Sequence, residues 1–142
     1  MTPAQQVVPR NANERTVLAF YTTLMRKDMQ AFADLWADDA VQEIPFTPEI
    51  EGFEPVWRGK QKILAYYNKA IPGRREHQFW IHDIHQTTDP DCLIVEASAH
   101  SVLADSGKVY DQRYVFIFRL RDGKIVLNRE HVNPLAFMKA FG

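Results

Sequence analysis

The segment DQRYVFIFRLRDGKIVLNREHVNPLAF, residues 111–137, indicates a β-hairpin. Two runs of alternating residues flank the turn Arg121-Asp122-Gly123-Lys124. An Asp-Gly pair between such runs is typical of a tight hairpin turn, because glycine adopts a positive φ without strain. The segment therefore predicts two long antiparallel strands and, after Pro134, a short apolar tail.

Strict alternation along each strand determines which side chains share a face. On the second arm, Glu130 shares a face with Asn128 and Val132, and its neighbours Arg129 and His131 point the other way. If this face lines the interior, a carboxylate and an amide lie among aromatic side chains, which indicates either a functional site or an unfavourable burial. The corresponding face of the first arm carries Tyr110, Gln112, Tyr114, Phe116 and Phe118.

Length and composition predict one domain spanning residues 1–142, long enough to bury about two thirds of the surface that its unfolded chain exposes. Seventeen basic and 18 acidic residues leave a net charge of −1, so there is no electrostatic basis for binding nucleic acid or an anionic membrane. We expect a small hydrophobic or aromatic ligand as the partner.

Three helices are predicted in the first half of the chain, after a flexible lead at residues 1–12. The second helix is assigned from the helical spacing of Phe32, Leu35 and Trp36. The predicted bounds are Asn13 to Arg26-Lys27, Asp28 to Asp38-Asp39, and Gly59 to Pro72-Gly73.

The remaining segments predict strands. A short strand runs from Ala40 to Pro45, an aromatic loop covers residues 47–56, and long strands cover residues 77–86 and 92–103 before the hairpin. Helices followed by a meander of strands predict an α+β domain. We expect a conical barrel, in which a curved antiparallel sheet wraps against the three helices and the aromatic loop lies at its mouth.

Neither the cysteine nor the histidines predict a metal site. Cys92 is the single cysteine and lies in an apolar run, which favours a buried structural thiol. His82 and His85 are three residues apart on a strand and therefore point to opposite faces. Since no phosphate-binding, dinucleotide or Ser-His-Asp motif is present, we expect no metal and no cofactor.

The first residues, MTPAQQVVPR, lack a basic region followed by an apolar core. No apolar run approaches the roughly 20 residues that cross a bilayer. We therefore expect a cytoplasmic protein with no membrane partner.

Three motifs together resemble the nuclear-transport-factor-2-like superfamily, in particular the SnoaL-like polyketide cyclases and the phenazine-biosynthesis A/B proteins. The motifs are WRGKQKI at residues 57–63, TDPD followed by VEASAH at residues 88–100, and DGKIVLNREHVNP at residues 122–134. The resemblance covers roughly residues 13–141. It implies a conical α+β barrel of the cystatin-like kind, which is usually a homodimer formed through the outer sheet face.

The resemblance also implies that Glu130 is the general acid/base. The phenazine proteins place a His and a Ser in the pocket from the third helix, where this chain has Tyr66 and Ala70. The cyclases have a His at the position of Asn128. A carboxyl group among aromatic rings has a raised pKa, which suits proton transfer near neutral pH.

Our hypothesis is a cofactor-independent enzyme that isomerises, cyclises by an aldol-type step, or dehydrates a cyclic or polyketide-like substrate. Glu130 would be catalytic, assisted by Tyr66 and Asn128. The alternatives are a non-catalytic protein that binds a hydrophobic small molecule and an epoxide hydrolase, for which Glu130 lacks an inward acidic partner. The candidate substrate-binding residues are Trp36, Phe46, Trp57, Gln112, Tyr114, Phe116 and His100.

Overall fold

The computed structural model describes all 142 residues, which form four α-helices, seven strands and two short 3-10 turns. The helices are α1 (Ala12–Arg26), α2 (Met29–Ala33), α3 (Lys60–Ala70) and α4 (Pro134–Phe141). The strands are β1 (Thr2–Pro3), β2 (Trp36–Glu43), β3 (Val56–Arg58), β4 (Arg74–Gln86), β5 (Cys92–Leu103), β6 (Val109–Arg121) and β7 (Lys124–Val132). The 3-10 turns are Ala4–Gln6 and Ile71–Gly73.

All seven strands belong to one curved sheet in the order β1-β4-β5-β6-β7-β2-β3. The predicted hairpin is confirmed: Arg121 pairs with Lys124, and Asp122 and Gly123 have φ values of 52° and 76°. The α+β class and the conical architecture are also confirmed. The sheet is mixed, however, because β2 runs parallel to β7. The prediction of an entirely antiparallel sheet was therefore wrong at this pair.

The N-cap of helix α1 lies two residues earlier than predicted. The side chain of Asn11 accepts a hydrogen bond of 2.9 Å from the backbone N–H of Glu14, which makes Asn11 the N-cap. Asn13 instead bonds to the turn between β4 and β5, through the carbonyl of Pro90 and the carboxylate of Asp91. The predicted end near Arg26-Lys27 is confirmed.

Helix α2 is capped by Asp28 as predicted but ends at Ala33, well before Asp38-Asp39. Trp36 starts strand β2 and lies opposite Ile125 of β7. Sheet pairing thus overrides the helical spacing that suggested a longer helix. The predicted strand from Ala40 is the second half of β2, and β3 begins within the segment assigned to the aromatic loop.

Both chain ends are more ordered than predicted. Thr2 and Pro3 pair with Ile81 and Trp80 of β4, and Ala4 is buried, so the N-terminal residues are not a flexible lead. The predicted apolar tail is helix α4, whose N-cap Asn133 accepts a hydrogen bond from the backbone N–H of Leu135.

The core fills the concave side of the sheet beneath the helices. Phe20 of α1 is central, with ring centroids of six other aromatic residues within 5.1–6.2 Å. Cys92 is buried and free, as predicted. None of the four helices combines the length and hydropathy needed to cross a membrane.

Candidate functional site

Glu130 lies on the inner face of β7 opposite Phe116 of β6, and its residue surface is 9% exposed. The side chain reaches the wall of a narrow inner cavity of about 40 Å³. Glu130 is the only carboxylate on this wall, which is otherwise mainly apolar and aromatic. The inner cavity is lined by Leu24, Ile44, Tyr66, Tyr67, Ala70, Ile71, Arg74, His77, Phe79, Tyr110, Tyr114, Glu130, Val132 and Phe137.

A buried amide holds one oxygen of this carboxylate. Gln42 of β2 donates from Nε2 to Glu130 Oε2 at 2.9 Å. The Oε1 atom of Gln42 accepts hydrogen bonds from the Tyr67 hydroxyl at 3.0 Å and from Asn128 Nδ2 at 2.9 Å. Because these two donors orient the Gln42 amide, its N–H₂ group points at the carboxylate.

Burial raises the pKa of Glu130 to about 7. The hydrogen bond from Gln42 and the positive charge of Arg74 favour the carboxylate and partly oppose this shift. Both protonation states are therefore populated near neutral pH. A group with this pKa can accept a proton and return it at similar cost.

The tyrosines and the histidine on the wall stay neutral. Burial raises the pKa of the Tyr66, Tyr67 and Tyr114 hydroxyls, so these phenols remain protonated and can donate hydrogen bonds. Burial lowers the pKa of His77 to about 3, with the positive charge of Arg74 acting in the same direction. Neutral His77 has a buried Nδ1 atom without a hydrogen-bond partner.

A second, outer cavity of about 480 Å³ adjoins the first. The two cavities share Tyr66, Ala70 and Arg74 in their walls. Phe53 and Phe141, whose ring centroids are 4.8 Å apart, also line the outer cavity. A ligand lying across this junction would reach Glu130 from the outer cavity.

Several of the predicted site residues come together here. Tyr66 and Tyr114 line the inner cavity with Glu130. Asn128 is fully buried behind the wall and contacts Glu130 through Gln42. Trp57 supports the wall, since its ring stacks on Tyr66 at a centroid distance of 4.5 Å.

Three predicted ligand contacts lie elsewhere because of their packing. Trp36 and Phe116 are fully buried in the aromatic core and do not line either cavity. Phe46 is 58% exposed, and its ring lies 5.5 Å from that of His131. Phe53, rather than Phe46, is the aromatic residue of this region that lines the outer cavity.

Gln112 and His100, two further predicted ligand contacts, line neither the inner nor the outer cavity. Gln112 anchors α4: its Oε1 accepts from the backbone N–H of Asn133 at 2.7 Å, and its Nε2 donates to the Asn133 carbonyl at 3.2 Å. His100 lies on the outer face of β5, where its Nδ1 is 2.5 Å from Asp111. Strand alternation therefore directs His100 away from the inner cavity.

Sequence reasoning missed three site residues: Gln42, Arg74 and His77. Gln42 had a signal, because alternation places it on the same strand face as the buried Ile44. Arg74 had none, since the predicted strand began after it, at His77. His77 had a signal, because alternation places it on the same strand face as the buried Phe79. Their positions depend on how β4 leaves the 3-10 turn at Ile71–Gly73.

One group of side chains has the composition of a metal site. Asp83, His85 and Glu96 bring ligand atoms within 4.8 Å of one another on the exposed surface of β4 and β5. The hydrogen bond from His85 Nε2 to Glu96, 2.7 Å long, raises the pKa of His85. His85 forms a surface ion pair with Glu96 when His85 is protonated. None of the three residues lines the inner cavity.

The sequence pattern of the SnoaL-like domain matches residues 17–128. The chain belongs to the SnoaL-like family. The PhzA/B-like protein PA3332 of Pseudomonas aeruginosa is 30% identical over 131 residues, which cover 92% of this chain and 91% of that protein.

Solved structures of the same fold include a protein named as a candidate isomerase from Bacillus subtilis. It has a TM-score of 0.82 and 30% identity, with 92% of this chain and 93% of that chain covered. RV0760c from Mycobacterium tuberculosis in complex with estradiol-17β-hemisuccinate has a TM-score of 0.76 and 21% identity, with 87% and 95% covered. The SnoaL-like architecture of this chain is thus shared by proteins with different sequences.

Proposed function

We propose that this protein is a cofactor-independent enzyme in which Glu130 moves a proton on a cyclic or polyketide-like substrate. The observation that carries the proposal is a single carboxyl group, with a pKa of about 7, on the wall of an apolar cavity. A base with this pKa is deprotonated often enough at neutral pH to accept a proton, and its conjugate acid is strong enough to return it.

The reaction class follows from the groups around the carboxylate. Ionised Glu130 takes a proton from a carbon next to a carbonyl, and the C–H electron pair becomes an enolate. Tyr66 stays protonated and donates a hydrogen bond to the enolate oxygen. Return of the proton to another carbon completes an isomerisation. Attack of the enolate on a second carbonyl, whose oxygen then takes the proton from Glu130, gives an aldol-type cyclisation. Loss of a β-hydroxyl group as water, with the proton from Glu130, gives a dehydration.

Gln42 and Asn128 are positioning residues in this scheme. Gln42 fixes Oε2 of Glu130, and Asn128 orients Gln42, so that Oε1 is the oxygen left to meet the substrate. Ala70 occupies the helix position where the phenazine proteins are expected to carry a Ser, and it supplies only a methyl group. Helix α3 therefore lacks the His and the Ser that the phenazine proteins are expected to place in the pocket.

The relatives support this class of function without naming a substrate. The PhzA/B-like protein and the candidate isomerase are each 30% identical to this chain. The steroid complex of RV0760c supports a hydrophobic, ring-containing ligand.

The test is base-catalysed ring opening of 5-nitrobenzisoxazole, in which a base removes the C3 proton as the N–O bond breaks. We expect the rate due to the wild-type protein to rise with pH and level off above pH 7. Glu130→Gln should abolish this rate. Glu43→Gln is the matched control, because Glu43 lies on the adjacent strand and pairs with Arg129 at 2.6 Å instead of lining either cavity.

Equal loss of rate in both variants, or retention of the rate in Glu130→Gln, would contradict the role of Glu130. The binding-protein alternative is tested with estradiol-17β-hemisuccinate. A wild-type protein that binds this steroid but opens the benzisoxazole no faster than Glu130→Gln would support that alternative. Epoxide hydrolysis is less well supported, since the wall of the inner cavity carries no second carboxylate.

We also propose a homodimer through the outer face of the sheet. Val115 is exposed there, and Trp80, Ile94 and Ile117 are only half-buried in the isolated chain. Association would cover this apolar surface. Sedimentation of the wild type as a monomer at micromolar concentration would rule the dimer out.

A further inference from the structure

Arg74 is a half-buried cation without an anionic partner. It makes no ion pair within 4.0 Å and no side-chain hydrogen bond. The other half-buried arginine, Arg129, pairs with Glu43 at 2.6 Å. The remaining arginines that lack an ion pair, such as Arg75 and Arg113, are exposed to solvent.

The surroundings of Arg74 stabilise its charge without neutralising it. Its central carbon lies 5.2 Å from the ring centroid of Tyr110 and 5.5 Å from that of Phe141. Stacking on aromatic faces stabilises the cation and leaves its N–H groups free in the plane of the guanidinium. That edge matches the two oxygens of a carboxylate.

Arg74 also lies where a ligand would pass. It belongs to the walls of both the inner cavity, which contains Glu130, and the outer cavity. The rest of the outer wall is slightly negative, because the two carboxylates Glu51 and Asp105 outnumber the single cation Lys69. An anion is therefore favoured at the junction beside Arg74 rather than at the outer rim.

We propose that the substrate carries a carboxylate that Arg74 binds at the junction of the two cavities. This inference rests on the proposed function, since it assigns the substrate class of the same site. The apolar body of the ligand lies in the outer cavity, its carboxylate is held at the junction, and only its reacting edge extends into the narrow inner cavity toward Glu130. Arg74 thereby sets both the orientation of the substrate and the preference for an acid over its neutral analogue.

The experiment compares 2-naphthoate with 2-naphthamide, which have nearly the same shape and differ in charge. Binding is measured by tryptophan fluorescence at pH 6, where Glu130 is mostly protonated and does not repel the anion. We expect the wild type to prefer 2-naphthoate by about tenfold, because hydrogen bonds to a charged partner are stronger than neutral ones.

Arg74→Met should remove the preference for 2-naphthoate and leave the affinity for 2-naphthamide within about twofold. Arg74→Lys should retain part of the preference. This variant keeps the proposal testable if Arg74→Met does not fold. Arg75→Met is the matched control: it removes the same charge from the adjacent exposed position, and the preference should persist. Glu130→Gln should also keep the preference, which separates this proposal from the proton-transfer role.

The proposal is overturned if the wild type binds both probes equally, or if Arg75→Met lowers the preference as much as Arg74→Met does. Failure of the folded wild type to bind either probe would overturn it as well, since the outer cavity of about 480 Å³ is large enough for both.

Discussion

Replacing Glu130 by glutamine removes one titrating group and keeps the size of the side chain. The Gln42 N–H₂ group, 2.9 Å from Glu130 Oε2, can donate in the same way to the new amide oxygen. The variant therefore isolates the cost of ionising the carboxyl group. We expect the free energy of unfolding of Glu130→Gln to exceed that of the wild type by an increasing amount as the pH rises.

The magnitude follows from the shift in pKa. Burial raises the pKa of Glu130 from 4.5 to about 7 in the folded protein. Below pH 4.5 the group is protonated in both the folded and unfolded states and contributes nothing to the pH dependence. Between pH 4.5 and 7 the unfolded chain releases the proton first, so the free energy of unfolding falls as the pH rises. Above pH 7 the loss is complete, at about 3 kcal/mol.

The assay is urea unfolding followed by tryptophan fluorescence at a series of pH values from 4.5 to 8.5. The observable is the free energy of unfolding of Glu130→Gln minus that of the wild type. Other titrating groups, including His77, are present in both proteins and cancel to first order. This difference should increase by about 3 kcal/mol across the series, with most of the change below pH 7.

A difference that stays constant with pH would refute the reasoning, because Glu130 would then titrate alike in the folded and unfolded chains. A difference that decreases as the pH rises would mean that the folded protein stabilises the carboxylate. Either result would also remove the main support for Glu130 as a base with a pKa near 7.

Two further predictions concern neighbours of Glu130. Gln42→Met removes the hydrogen-bond donor that favours the Glu130 carboxylate, so the pKa of Glu130 should rise. The midpoint of the pH–rate profile for benzisoxazole ring opening should then move to higher pH. An unchanged midpoint would contradict the role of Gln42. His77 stays neutral in the folded protein, with a pKa lowered to about 3, so the wild type should lose stability as the pH falls below 6.5. His77→Phe should weaken this acid sensitivity in urea unfolding at pH 7 and pH 5, and an equal sensitivity in both proteins would show that His77 protonates normally.

Local rules predicted the parts of the fold that depend on neighbouring residues. Asp122-Gly123 identified the hairpin because the turn requires positive φ values at those two positions. Alternation placed Glu130 and Asn128 on one strand face, and both are buried in the structure. The same rule places His100 on the face of β5 opposite to the buried Ala97 and Ala99.

The failures occurred where distant parts of the chain compete with local pattern. Trp36 has helical spacing from Phe32, yet pairing with β7 makes it the first residue of a strand. The tail after Pro134 forms helix α4 because Gln112 and the aromatic rings around Phe137 provide a surface on which it packs. Propensity is a weak predictor when tertiary contacts favour another structure.

The hairpin sequence by itself determined that Glu130 shares a strand face with Asn128 and Val132, because side chains alternate with a period of two. Only the tertiary structure decided what that carboxyl group meets. Gln42 is 88 residues away and reaches Glu130 because β2 lies parallel to β7. Arg74 reaches the junction of the cavities because the 3-10 turn Ile71–Gly73 leads the chain from the end of α3 into β4. Desolvation and the nearby cation are properties of this assembled environment, so they set the pKa of Glu130 in a way that no local pattern encodes.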